Sequence, residues 1–348
     1  MTYVGIYLGL LFSSIVSANQ RPFRFLLFAV FSLLLFGFVA FRFEVGCDWS
    51  GYENNFELAR YWSVTEALAR TEPGYWSLIV QLHGAGLPYP YLNLAMAIPF
   101  FWGIIALARR EPDPLAFLVL SFPVLILNMP MSAIRQSAAI GFFCLALIAF
   151  RDRKALRFVL MIALGSLFHS SVIVFLALAP FAKVAVTRSS LALAAVLLLP
   201  GLYFTFADAL AFYADRYVNS ELNSAGALYR SALLAAVGGY FVLGAQPAFR
   251  EKFPADYATA LIGSLIMIAT LAVVPFSSVI ADRFGYYVTP IQIMIMARLP
   301  YVVSATPTGR LIAAAPYAGL AAVLIYWAGN SRHFQLCYLP YQSWLSWP

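Results

Sequence analysis

Apolar runs long enough to cross a bilayer recur along the whole chain, and its lone charges fall at the ends of those runs or inside them. A spanning helix needs about 20 mostly apolar residues, and the stretches 2–18, 25–41, 91–108, 114–129, 136–150, 189–207, 231–246, 257–275, 286–299 and 311–328 read as such helices. They do not alternate polar and apolar positions, as the strands of a membrane barrel do. With 62% hydrophobic and 11% charged residues among 348, the expected fold is all-α. It is a polytopic integral membrane helical bundle of about 10–12 transmembrane or re-entrant helices, forming a single domain. The first run, Thr2 to Ala18, has neither a basic leader nor a small-residue cleavage site and reads as a retained helix.

The net charge of +7 is carried by short basic clusters between apolar runs. That is the pattern of cytoplasmic loops and not of a nucleic-acid-binding face. With those clusters inside, the amino terminus, the loops at 42–73, 208–230 and 276–285, the turn at 129–135 and the carboxyl-terminal tail all lie outside. Cys47, Cys144 and Cys337 show no metal-ligand spacing and read as inert small residues, although Cys47 and Cys337 share the outer side and are free to pair there. His83 and His333 join no metal constellation. Two stretches fit no ordinary span: 74–88 is short and carries Gln81 and His83, and 158–182 is too long for one crossing. Both read as short, broken or re-entrant helices against a cavity, with His169 at the break of the second.

Charge in or against hydrocarbon is costly, so Arg42, Glu44, Asp48, Glu72, Arg135, His169, Asp282 and Arg283 are the candidate site. Each has a plainer use. Arg135 can snorkel from a helix end, Arg283 can pair with Asp282 and Arg42 with Glu44, and Asp48 and Glu72 can cap the helices that follow them. Asp48, Trp49, Tyr52, Glu53 and Phe56 sit at helical spacing and predict an amphipathic helix on the membrane surface. The serines after His169 read as partners for backbone groups at the break, not as nucleophiles. The aromatic tail from Tyr338 suits either sugar stacking or interfacial anchoring.

The ordered series RFEVGCDWSGY, EPGYWSL, PMSAIRQSAA, SLFHSSV, DRFGYY and LPYQSWL resembles the EpsG family of bacterial membrane proteins, among the Wzy-type polysaccharide polymerases, from about Arg42 to the tail. The resemblance implies a GT-C-like membrane glycosyltransferase of the bacterial inner membrane, multi-pass, with its site facing the periplasm or cell exterior. It would join undecaprenyl-diphosphate-linked oligosaccharide repeat units into exopolysaccharide, capsule or O-antigen. Such a reaction needs cations for the diphosphate, for which Arg135, Arg283 and Arg42 are suited. It needs a base for the acceptor hydroxyl, for which His169, Asp48 and Glu72 are suited, Asp48 being preferred to Glu72. Tyr52, Gln136, Tyr287 and Tyr341 are expected to face the glycan. No cofactor and no metal is expected, and the expected partners are the lipid-linked donor, membrane lipid, and a chain-length regulator and a flippase of the same pathway, with no nucleic acid. An O-antigen ligase would use the same donor. A flippase or transporter is the reading of a different class, and the absence of matching broken helices in two inverted halves weighs against it.

Overall fold

The computed structural model describes residues 2–182, 196–197 and 226–345. All but residues 196–197 of the predicted span at 189–207, and the greater part of the loop at 208–230, lie outside them. The described residues are helical and hold no strand; a single isolated antiparallel bridge joins Arg42 to Ser343. Five helices are long and apolar enough to cross a membrane, and they match predicted runs: Arg21–Ala40, Pro90–Ala108, Ile134–Arg151, Ala227–Lys252 and Pro307–Asn330. The protein is an all-α polytopic membrane protein.

The chain packs as two compact units, Met1–Gly141 with Ser304–Pro348, and Phe142–Val303. In the first, α1 (Thr2–Val16), α2 (Arg21–Ala40), α6 (Pro90–Ala108), α7 (Pro114–Ser121) and α14 (Pro307–Asn330) form the bundle. Between α2 and α6 the chain makes an excursion through α3 (Trp49–Leu58), α4 (Val64–Leu68) and α5 (Pro73–Gly84), and α15 (Arg332–Tyr338) follows α14. The unit also holds the opening turns of α8 (Ile134–Arg151). In the second unit, the rest of α8 leads to α9 (Ala155–Ser166) and a 3-10 helix at Ser170–Ala182. There α10 (Ala227–Tyr240), which continues into α11 (Gln246–Lys252), packs with α12 (Tyr257–Val273) and α13 (Ser278–Val302).

The irregular stretches have local causes. α5, at 12 residues, rises only about 18 Å and falls short of a hydrocarbon core about 30 Å thick. The stretch 158–182 divides at Leu167–His169 into α9 and the 3-10 helix, so His169 does sit at a break. π-turns at Phe122–Ile126 and Phe241–Ala245 lie around Pro123 and just before Pro247, where a proline ring would otherwise meet the carbonyl four residues back.

At the ends carrying basic clusters, cations are held by aspartates that open helices. Asp113, at the N-cap of α7, accepts from the Ala116 N–H at 3.0 Å and pairs with Arg24. Asp256 takes Arg298 at 2.8 Å and Arg151 at 3.3 Å, and both Asp256 and Arg298 are buried. Within the first unit α6 and α8 meet backbone to backbone. A Cβ on Gly103 would lie 2.0 Å from the Gly141 carbonyl oxygen, and one on Gly141 would lie 2.0 Å from that of Pro99. Small residues that let helix backbones touch are a main source of attraction where water drives nothing. Gly141→Ala should therefore force the helices apart and lower stability by about 1–3 kcal/mol, seen as earlier thermal unfolding in detergent, whereas Gly9→Ala, with open space around it, should leave the transition in place.

Candidate functional site

At the end of the first unit opposite the Arg24–Asp113 pair, four of the sequence motifs meet. Arg42, just past α2, is 1% exposed. Its Nε donates to the Val45 carbonyl at 2.9 Å, Nη1 to that of Val39 at 3.0 Å, and Nη2 to Asn93 Oδ1 at 2.8 Å. These bonds fold the turn that precedes α3, and they correct two expectations at once. The guanidinium is sealed among backbone oxygens and not open to a diphosphate, and its partners are not Glu44, which is exposed. Gly46 has φ +105°, and a Cβ there would lie 1.7 Å from the Met131 carbonyl oxygen, so the turn presses directly on the segment before α8. α3 then begins as its spacing predicts, with Trp49, Tyr52 and Phe56 buried. Asp48 stands at its N-cap position, but its side chain makes no capping bond and the residue is exposed.

Glu72 opens α5 with φ 64° and ψ 56°, a left-handed conformation that costs a non-glycine residue about 1–2 kcal/mol. It too makes no capping bond. The twist turns its carboxylate onto Arg135, which donates from Nη1 to Oε2 at 2.6 Å. The carboxylate side chain is 7% exposed and the arginine 34%, so the anion is enclosed while the cation keeps an open side. The Arg135 guanidinium also lies 5.8 Å from the Tyr52 ring and 5.3 Å from that of Tyr75. Burial pushes the Tyr52 phenol up and Arg135 draws it back. Gln136 follows Arg135 and is buried.

The tail closes this end. Tyr341 stacks on Phe38 at 4.4 Å and donates to its carbonyl at 2.8 Å; burial pushes its phenol up to about 12. Trp344 packs edge-on to Phe41, and its backbone N–H donates to the Phe41 carbonyl at 3.0 Å. Tyr341 thus anchors the tail, with its ring covered by a phenylalanine.

The remaining two motifs meet each other in the second unit. At the break after α9 the His169 N–H donates to the Gly165 carbonyl at 3.0 Å, and the Ser171 N–H donates to His169 Nδ1 at 3.3 Å. The Ser171 hydroxyl lies 2.7 Å from that same nitrogen and 3.1 Å from the hydroxyl of Tyr287. Ser171 therefore serves the imidazole, where the sequence reading has it serving backbone. Tyr287 is 0% exposed, with its ring against Phe143 and Phe175. It supports Ser171 from within the core and offers no face to a sugar. On α13, Asp282 is held by Arg230, Nε to Oδ1 at 2.6 Å and Nη2 to Oδ2 at 2.8 Å. Arg283 is exposed.

The sequence matches the EpsG family over residues 25–343. The chain belongs to the EpsG family. Neither a curated protein nor a solved structure matches it. Membership makes it a polysaccharide polymerase-type membrane protein.

For this EpsG-family chain, composition concealed several members of the site. Asn93, Tyr75 and Arg230 stand on otherwise ordinary helices, and their parts depend on contacts with residues 51, 60 and 52 positions away. Cys47 and Cys337, read as inert, form a disulfide with Cα atoms 4.7 Å apart. His333, left out of any constellation, lies beside them. The three ligand atoms fall within 4.8 Å of one another, the one group of metal-ligating spacing among the described residues. With its sulfurs joined, the group holds no thiolate pair for a metal. Glu72→Gln should lower stability by about 1–2 kcal/mol, because the part-exposed guanidinium recovers some of its solvation when its partner is lost; thermal unfolding of the purified protein measures this.

Proposed function

We propose that the chain is a membrane glycosyltransferase that joins undecaprenyl-diphosphate-linked oligosaccharide repeat units at the outer face of the bacterial inner membrane, building an exopolysaccharide, capsule or O-antigen. The observation that carries the reading is the Arg135–Glu72 pair at 2.6 Å, with its cation the more open partner and facing the ring of Tyr52, four residues after the exposed Asp48, in a chain of the EpsG family. In the proposed reaction a hydroxyl of the acceptor glycan attacks the anomeric carbon of the donor. The new glycosidic bond forms as the bond to the diphosphate oxygen breaks, and the proton of the hydroxyl leaves.

Arg135 suits the departing diphosphate. Its planar fork matches phosphate oxygens, its charge persists in a dry site, and contact that strengthens as negative charge develops lowers the barrier. Glu72 holds that fork in place, which leaves Asp48 as the carboxylate available to take the proton. Arg283, exposed on α13, is assigned to phosphate contact. His169, whose Nδ1 is held by Ser171, is assigned to proton transfer or phosphate contact. Tyr52 and Gln136, next to Arg135 in space or sequence, are assigned to the glycan. No metal is assigned a part in the reaction.

Orientation is supported by the disulfide between Cys47 and Cys337, since such bonds persist in oxidising compartments and are rare in the cytosol. A flippase that delivers the donor and a chain-length regulator remain the proposed pathway partners. Purified protein in nanodiscs, given a synthetic undecaprenyl-diphosphate repeat unit, is expected to yield a ladder of products. Arg135→Lys, which keeps charge but loses the fork, should cut the yield by roughly tenfold or more, Asp48→Asn likewise, and His169→Ala should shorten the ladder. A single transfer to a lipid acceptor with no ladder would identify a ligase, and wild-type yield from both Arg135→Lys and Asp48→Asn would remove the site.

A further inference from the structure

We propose that Cys47, Cys337 and His333 form a thiol–disulfide exchange site, a reversible clip between the C-terminal segment and the turn that leads into Asp48. The geometry differs from that of a sealed staple in three respects.

An imidazole lies against the sulfurs: His333 Nδ1 is 3.5 Å from Cys47 Sγ. His333 and Cys337 stand four residues apart in α15 and so share a face. The site is also open, since His333 is exposed and both cysteines are only half-buried. Cys144, by contrast, is buried and unpaired.

The tail, moreover, is held without the sulfur bond. The Phe43 N–H donates to the Gln342 carbonyl at 2.9 Å, the Trp344 N–H to that of Phe41 at 3.0 Å and the Gly46 N–H to that of Cys337 at 2.7 Å. Tyr3 donates to the Tyr338 carbonyl and Tyr338 to that of Leu127, at 2.8 and 3.1 Å. Opening the disulfide therefore leaves the segment docked and removes the covalent link between it and the turn at Gly46–Asp48.

The exchange partner is a dithiol reductant, either a small dithiol or a thiol oxidoreductase. Its thiolate attacks Cys337 Sγ, a new S–S bond forms, and the Cys47–Cys337 bond breaks with its electron pair leaving on Cys47. The His333 ring, with Nδ1 3.5 Å from that sulfur, is placed to hydrogen-bond to the departing thiolate, which speeds exchange because a better leaving group leaves faster. The partner's second thiol then attacks the mixed disulfide and frees Cys337, so the partner ends oxidised and the protein ends with two thiols. Reoxidation runs the same steps backwards. The consequence for Asp48 rests on the role proposed for that residue above; the exchange chemistry does not.

The test uses the full chain carrying Cys144→Ala, which removes the buried third thiol, trapped from intact cells with a maleimide polymer and compared with protein treated with dithiothreitol in detergent. The expected result is no labelling at Cys47 and Cys337 when trapped directly, and labelling of both after dithiothreitol without loss of the folded transition. His333→Gln should slow reduction roughly three- to tenfold. Free thiols at both positions in directly trapped protein, reduction only after unfolding, or equal rates for His333→Gln and its parent would each overturn the proposal. Polymer ladders run on the same samples separate the two readings. A chain that exchanges as expected but makes no ladder loses only the reaction, and one that makes ladders without exchange loses only the clip.

Discussion

A guanidinium withdrawn from water must find a carboxylate or a ring of carbonyls, and in this chain that requirement organises each of the two compact units. Arg24 meets Asp113, Arg298 and Arg151 meet Asp256, Arg135 meets Glu72, and Arg230 meets Asp282. Arg42 meets backbone oxygens and Asn93. The solutions differ in kind. Asp256 and Arg298 are both buried, so breaking that pair would strand a charge and the pair acts as structure. In Arg135–Glu72 only the carboxylate is enclosed, and the arginine keeps an approach for a ligand. A pair whose anion is fixed and whose cation is open is suited to receive a second anion.

Backbone constraint acts alongside charge. Where a helix stops inside a compact unit, its freed N–H and C=O groups need partners, and candidate site residues stand at two of the ends found here. At His169 the break is closed by the histidine's own N–H and by Ser171 bonding to its ring, so the imidazole is oriented by the same contacts that end the helix. At Glu72 a left-handed residue begins α5 and aims the carboxylate at Arg135. Gly46, at φ +105°, allows the turn before Asp48 to press against Met131. Structural and candidate chemical roles coincide at these positions because strain and irregular backbone are retained only where the surroundings over-determine them.

Much of the fold was legible without coordinates. Runs of apolar residues report where helices cross, since length and hydropathy are local properties, and the short helix at 74–88 and the break at His169 were visible as departures from that pattern. The roles of individual charges were less legible. Arg42 and Arg135 look alike in sequence, each at the end of an apolar run, yet one is walled in by carbonyls and the other faces a carboxylate 63 residues away. Tyr287 and Tyr341 read as sugar platforms, but one ring is enclosed by Phe143 and Phe175 and the other by Phe38.

The amino-acid order by itself determined the all-α membrane class, the positions of the spans and the set of ionisable residues too costly to be incidental, because each follows from how a short segment partitions between water and hydrocarbon. Only the tertiary structure decided which of those residues pair. It joined Cys47 to Cys337 across 290 positions, brought Arg230 onto Asp282 from 52 positions away, and gathered the motifs into one group in each compact unit. Pairing is a property of distance in space, and a folded chain sets that distance through packing between helices that carry no local record of their partners.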